Sequence, residues 1–228
     1  MRNILLNTNE LNYEQLTGLG VVSEAIHKNL KNLNFKSCCI KRFKYESNFS
    51  YKLRRIYWSQ YLVPKLMNKL DCDLFLSPII EAPMTRKINS VVMAHDLIPL
   101  KFPSKIANKI FFKTYIPFVL KKSKLIISNS NATSKELTKT YNINPLKIYK
   151  LKLGYDKENI FPLKVNREQF FLILGRHDYH KNIPNILRAI KLVKNRALKF
   201  VFVGPFHKKL TPIYKKLTFE LGISKSCI

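Results

Sequence analysis

Gly175, Arg176, Lys181 and Asn182 belong to the stretch Gly175-Arg176-His177-Asp178-Tyr179-His180-Lys181-Asn182, which closes the apolar run FFLILG and opens a helix-patterned segment. Arginine presents a planar fork that binds phosphate oxygens in two places, and a lysine five residues on adds a compact point charge. A helix N-terminus beside them aims backbone amides at the same spot, so a diphosphate would meet three positive features at one bend. Two opposite charges about 4 Å apart attract by about 4 kcal/mol at an effective dielectric near 20, enough to steady a departing anion. A solvated charged turn in a lysine-rich chain is the alternative reading of the same residues.

His95 and Asp96 follow the run SVVMA directly. A histidine at the C-terminal end of a strand can donate a hydrogen bond to a sugar hydroxyl or shuttle a proton, with Asp96 orienting the ring. A histidine that only caps a buried strand end occupies the same position. Gly18 and Gly20 lie between the first strand and the helix VVSEAIHKNL, in a loop where glycine lets backbone approach a phosphate or sugar. An ordinary turn uses the same two glycines. His27, His177, His180 and His207 have no obvious partner. Cys38, Cys39, Cys72 and Cys227 lack C-x-x-C spacing and include an adjacent pair that cannot easily face one ion, so they read as reduced filler and no metal is expected.

The elements that must position these residues alternate, short apolar runs with longer helix-patterned stretches, as in a parallel sheet covered by helices. Strands are predicted at 4–7, 36–40, 73–77, 90–94, 124–128, 147–154, 170–175 and 199–205. Helices are predicted near 20–33, 51–70, 104–122, 133–142, 183–195 and 208–221. Thr133 and Glu136 have capping-box spacing, which predicts a helix start at Thr133. The polar stretch after Gly154 divides the chain into a first domain over 1–154, a linker over 155–169 and a second unit over 170–228. That second unit is short enough to be marginal alone and reads as the first part of something longer.

With 46% hydrophobic and 24% charged residues over 228 positions, the composition is globular rather than disordered or fibrous. Forty-one basic against fourteen acidic residues leave +27. Lysine outnumbers arginine 32 to 9 and there are 20 asparagines, so compositional bias accounts for part of the excess. The charge spreads over both parts, with 28 basic and 11 acidic residues in 1–165 and 13 and 3 beyond. A nucleic-acid-binding tail would concentrate it, and no helix-turn-helix, zinc-finger or RNA-stacking motif accompanies it, so no nucleic-acid partner is expected. No run of about 18 apolar residues is present and the first residues lack the apolar centre of a signal peptide, which predicts a cytoplasmic chain.

The stretch 51–70 combines Lys52, Arg54, Arg55, Lys65 and Lys69 with Tyr57, Trp58 and Tyr61. Such a helix can lie peripherally on an anionic membrane. Leu53, Ile56, Tyr57, Leu62, Leu66 and Leu70 also form an ordinary core stripe, and core packing is the favoured expectation.

Taken in order, GLGVVSEAIHKNL, AHDLIPLKFP, IISNSNATSKEL, KLGYD and FLILGRHDYHKNIPNILRAI resemble the segments of family 4 (group 1) glycosyltransferases, retaining enzymes of the two-domain GT-B fold. The resemblance covers essentially the whole chain, and its sharpest element is Gly175-Arg176 with Lys181-Asn182. It implies a complete N-terminal Rossmann-like domain on the acceptor side, followed by a partial C-terminal Rossmann-like domain that binds the donor. It further implies that Arg176 and Lys181 hold the diphosphate of a nucleotide-sugar, with Gly175 and Asn182 framing them. By the same resemblance His95 contacts the donor sugar beside Asp96, Gly18 and Gly20 lie near the donor phosphates and the acceptor, and no cofactor or metal is needed. The implied reaction is hexosyl transfer to a cell-envelope polysaccharide or lipid-linked glycan. The family's two glutamates in a Glu-Gly-Phe-Gly stretch have no counterpart here, since Glu220 is the sole acidic residue after Gly204. The chain therefore reads as C-terminally truncated, and a non-catalytic remnant that binds acceptor or membrane is the alternative.

Overall fold

Apolar runs of four to six residues, too short for stable helices, become strands, and the amphipathic stretches between them become the covering helices. The computed structural model describes residues 3–12, 18–30, 33–103, 105–162, 169–195 and 197–228. The chain divides into two units, Met1–Gly154 and Tyr155–Ile228.

The first unit carries strands β1 (Ile4–Asn7), β2 (Phe35–Cys38), β3 (Leu74–Ser77), β4 (Asn89–Ala94), β5 (Leu125–Ser128) and β6 (Ile148–Lys150). All pair in parallel, in the order β2-β1-β3-β4-β5-β6. The order reverses between β1 and β3, and a doubly wound sheet opens a crevice at the carboxyl ends of the strands flanking such a switch. The helices are α1 (Gly18–Asn29), α2 (Asn48–Tyr57), α3 (Val63–Lys69), α4 (Ile98–Lys101), α5 (Ile106–Lys122) and α6 (Asn131–Tyr141). Leu5, Phe75, Val92 and Ile126 from the sheet meet Val119, Leu120 and Leu137 from the helices in one buried cluster.

The predicted helix 51–70 is divided. Pro64 has no N–H to return to the preceding turn, and a single π-helical turn, Trp58–Leu62, separates α2 from α3. The expected core stripe is corrected with it. Leu53, Tyr57 and Leu62 are exposed, while Tyr51, Trp58, Val63 and Met67 form the buried face and Leu66 and Leu70 pack against it. The helix expected at Thr133 starts earlier: Ser130 is its cap, its hydroxyl accepting from the Thr133 amide at 3.0 Å, while Glu136 pairs with Lys101 instead of closing a capping box. Of the linker predicted over 155–169, residues 163–168 lie outside the described residues, as do 31–32 and 104 of two predicted helices.

The second unit pairs β7 (Phe170–Leu174) with β8 (Lys199–Val203) in parallel, and Cys227–Ile228 begins to pair along the other edge of β8. α7 (Ile183–Leu192) and α8 (Leu210–Glu220) supply Ile183, Leu187, Leu210 and Tyr214 to a second core around Phe200. Phe170, Phe171, Leu172 and Leu174 of β7 are exposed despite their apolar character. No helix of the described residues is long and apolar enough to cross a membrane.

Candidate functional site

In the second unit the two strand ends are locked together by glycine. Gly175 has φ +141°, a conformation that side chains disfavour. A Cβ on Gly204 would stand 1.9 Å from the Gly175 carbonyl oxygen, so only glycine lets the bend after β8 lie against the bend after β7. Lys181 ends a short 3-10 turn, Tyr179–Lys181, and its side chain folds back across Gly175, with Cε 3.5 Å from where a Cβ would sit. Arg176 is 70% exposed at its side chain and leaves the same bend, its Nε 3.2 Å from Asp178 Oδ2. Asn182 takes a left-handed conformation and precedes α7 with no side-chain hydrogen bond, but Pro184 carries no N–H and the Asn185 amide bonds the Asn182 carbonyl at 3.1 Å. The helix start therefore offers an anion fewer amides than expected, and the side chains of Arg176 and Lys181 carry the positive character of the bend.

Asp178 and two histidines complete this region. His207 Nδ1 accepts from the Leu210 amide at 3.1 Å, and its Nε2 lies 3.9 Å from Asp178 Oδ1. His177 Nδ1 is 3.0 Å from Thr211 Oγ1, and its ring meets Tyr214 edge-on. Both histidines, together with His27 edge-on to Phe35, have the partners that sequence reasoning could not find for them.

In the first unit the polar groups gather at the β1/β3 switch point. Beyond β1, Asn7 Nδ2 donates to Ser77 Oγ at 3.0 Å, and the Asn9 amide donates to Asn7 Oδ1 at 3.0 Å. Arg55 of α2 reaches into the crevice between two carboxylates, with Nη2 3.1 Å from Glu10 Oε1 and Nε 2.7 Å from Glu81 Oε1. All three side chains are nearly buried. Removing the guanidinium would leave two carboxylates uncompensated, a change that costs about 3–5 kcal/mol for buried pairs. The π turn holds the other wall: Gln60 Nε2 donates to the Ala82 carbonyl at 2.9 Å, and Gln60 Oε1 accepts from the Met84 amide at 2.9 Å. A cavity of about 210 Å³ opens here, lined among others by Glu10, Leu19, Glu81, His95, Asp96 and Phe111.

His95 lies half-buried at this cavity, just past β4. Its Nε2 is 2.9 Å from the Pro78 carbonyl oxygen. A carbonyl only accepts, so Nε2 carries a proton, and in the neutral ring Nδ1 is left as an acceptor. Its backbone carbonyl accepts from Thr133 Oγ1 at 2.9 Å, and Ser130 Oγ donates in turn to that hydroxyl at 2.9 Å. Asp96 does not orient the ring as expected: its Oδ1 accepts from the Ile98 amide at 2.9 Å, the local bond an aspartate makes most readily at a helix start. Gly18 and Gly20 are not loop residues but the first turn of α1, with Leu19 between them on the cavity wall. A Cβ on Gly18 would meet open space.

Sequence reasoning missed Glu10, Arg55, Glu81 and Gly204. The polar run Asn7-Thr8-Asn9-Glu10 after an apolar strand, and the Gly-Pro pair after β8, were the available signals. The Cys38 thiol is pushed up to about 12 by burial, with Cys39 and Cys72 adding to it, which removes it as a nucleophile. Among the described residues no group of three or more His, Cys, Asp or Glu side chains is placed to hold a metal ion.

A six-stranded parallel sheet with a crevice at its switch point, joined in sequence to a second parallel α/β unit with a glycine-locked basic bend, defines an α/β protein of the GT-B type. No family model matches the chain. Over 104 residues, 46% of this chain, it is 27% identical to the O-antigen chain mannosyltransferase RfbU of Salmonella typhimurium, a match spanning 29% of that protein's length. In fold, all of the chain matches 70% of sucrose-phosphate synthase from Thermosynechococcus elongatus, with a TM-score of 0.71 at 11% identity. It likewise matches 68% of Anabaena HepE, solved in complex with UDP, with a TM-score of 0.63 at 13% identity.

Proposed function

We propose that the chain is a glycosyltransferase of the family 4 type, moving a hexosyl group from a nucleotide-sugar to a glycan or lipid-linked acceptor with retention of configuration. The observation that carries the reading is the bend after β7, where Lys181 lies across Gly175, Arg176 leaves from the next residue and α7 starts without a side-chain cap. A diphosphate bound there replaces Asp178 on Arg176. The exchange favours the ligand because a diphosphate can take the planar guanidinium in two places and meet Lys181 as well, whereas Asp178 makes one contact through Nε.

As the bond from the sugar's anomeric carbon to the diphosphate breaks, Arg176 and Lys181 hold the charge that collects on the leaving oxygens. The acceptor oxygen bonds to the same carbon from the face the diphosphate departs, and its proton passes to the departing phosphate oxygen. No metal is assigned to this step. In the first unit, Glu10 and Glu81 accept from sugar hydroxyls and His95 Nδ1 offers one further acceptor. The cavity there, of about 210 Å³, has room for a sugar ring. The first turn of α1, with Gly18 and Gly20, borders it through Leu19. RfbU, named as a mannosyltransferase of O-antigen chains, and HepE, solved with UDP, support the class of donor and acceptor.

Calorimetric titration with UDP and with GDP tests the reading. One of the two is expected to bind weakly, and Arg176→Gln and Lys181→Gln each to weaken it about tenfold or more, as losing a charged hydrogen bond implies. Binding unchanged in both variants, or no binding of either nucleotide, overturns it.

A further inference from the structure

The face of α2 opposite its core contacts is apolar where a solvated helix would be polar. Phe49, Leu53 and Tyr57 recur every four residues and are 65%, 51% and 57% exposed, and Tyr61 continues the line through the π turn with its ring 5.2 Å from that of Tyr57. Residues at this spacing share one helix face, and the opposite face, through Tyr51 and Trp58, is committed to the core. The stripe is therefore not a misplaced core but a surface of its own.

Its surroundings are cationic. Between residues 41 and 70 there are eight basic residues and one acidic residue, Glu46. Arg54 pairs with Glu46, its Nε 2.6 Å from Oε1, and Arg55 is turned inward between Glu10 and Glu81, which leaves Lys41, Arg42, Lys44, Lys52, Lys65 and Lys69 as the basic residues outside those pairs. Lys52 borders the stripe and bonds Asn108 of α5, which brings the N-terminal half of α5 alongside. From residue 98 to residue 122 the chain carries no carboxylate at all, and Lys105 and Lys109 are exposed there beside the exposed Ile106 and Ile110.

We infer that this face, the Phe49-Leu53-Tyr57-Tyr61 stripe with Lys52, Lys105 and Lys109 beside it, seats on an anionic phospholipid surface. Apolar side chains that enter the acyl boundary while lysines meet lipid phosphates are the arrangement an interfacial helix requires. A second copy of the chain fits poorly, because pairing these faces would press like charges together in a molecule of +27. A nucleic acid would satisfy the lysines but leave the aliphatic part of the stripe without a partner. The inference goes beyond the transfer reading and stands without it.

The test is cosedimentation of the full chain with phosphatidylcholine vesicles and with equal mixtures of phosphatidylcholine and phosphatidylglycerol. Pelleting is expected with the anionic vesicles alone, weakening as salt rises. Leu53→Ser with Tyr57→Ser should lower the partition at least tenfold with only a small change in Tm, since more than half of each residue is exposed. Lys105→Gln and Lys109→Gln should each lower it about fivefold. Leu192→Ser, at an exposed apolar position of α7, should leave it unaltered. Arg176→Gln should also leave it unaltered, so that loss of nucleotide binding and loss of vesicle binding are separately readable. Full vesicle binding by the Leu53/Tyr57 double variant overturns the inference. So does tight binding to duplex DNA with no vesicle binding, or a dimer that the double variant abolishes in a chain that ignores vesicles.

Discussion

Gly175 and Gly204 place Arg176 and Lys181 more than those two side chains place themselves. The close pass of one bend over the other, with Gly204 against the Gly175 carbonyl, is the contact that fixes where the bend after β7 lies. Gly204→Ala is expected to destabilise the second unit by about 1–3 kcal/mol, because a methyl group there meets backbone, which cannot rotate away. Urea unfolding followed by a second-unit probe measures it, and wild-type stability in this variant would mean the bends are not in contact. Arg176 and Lys181 were legible as a pair because they lie in one short stretch, whereas Glu10, Arg55 and Glu81 were not. Glu10 and Arg55 are 45 residues apart, and each reads alone as a surface charge.

The start of α6 shows how a helix terminus carries a site residue. Ser130 caps α6 and also donates to Thr133, which holds the His95 carbonyl, so one serine ends a strand connection and anchors the backbone that carries His95. Ser130→Ala should cost about 1 kcal/mol of stability, the usual value of such a cap, and shift the His95 ring resonances in NMR spectra. Ser130→Thr should restore both, and an unmoved His95 spectrum in Ser130→Ala would separate the cap from the tether. The existence of α6 was legible in its sequence, but its first residue was not. The run Ser128-Asn129-Ser130-Asn131 offers several candidate caps, and the choice depends on which hydroxyl faces the helix axis. The exposure of α2's stripe was illegible for a related reason: Leu53 and Tyr57 have core-type side chains, and their spacing is the same whether the face they share meets protein or solvent.

The two units differ in how much of their stability they can supply alone. The cluster through Leu5, Phe75, Val92 and Ile126 lies wholly within the first unit, while the described residues of the second form two strands, one of them exposed. A fragment of residues 1–154 is expected to unfold cooperatively by itself, whereas 155–228 alone should be marginal, since a unit near 60–75 residues buries little of its chain. Circular dichroism melts of the two fragments decide this, and a cooperative melt of 155–228 with none for 1–154 would reverse it. At this scale the sequence by itself determined the alternation of strands and helices, the parallel class of the sheets and the basic bend of Arg176 and Lys181, because each is written in local spacing. Only the tertiary structure decided that Glu10, Arg55 and Glu81 meet at the β1/β3 switch point, that Asp96 serves α4 rather than His95, and that α2 turns an apolar stripe outward. Each of these depends on which segments become neighbours when the sheet closes, and neighbours distant in sequence leave no periodicity behind.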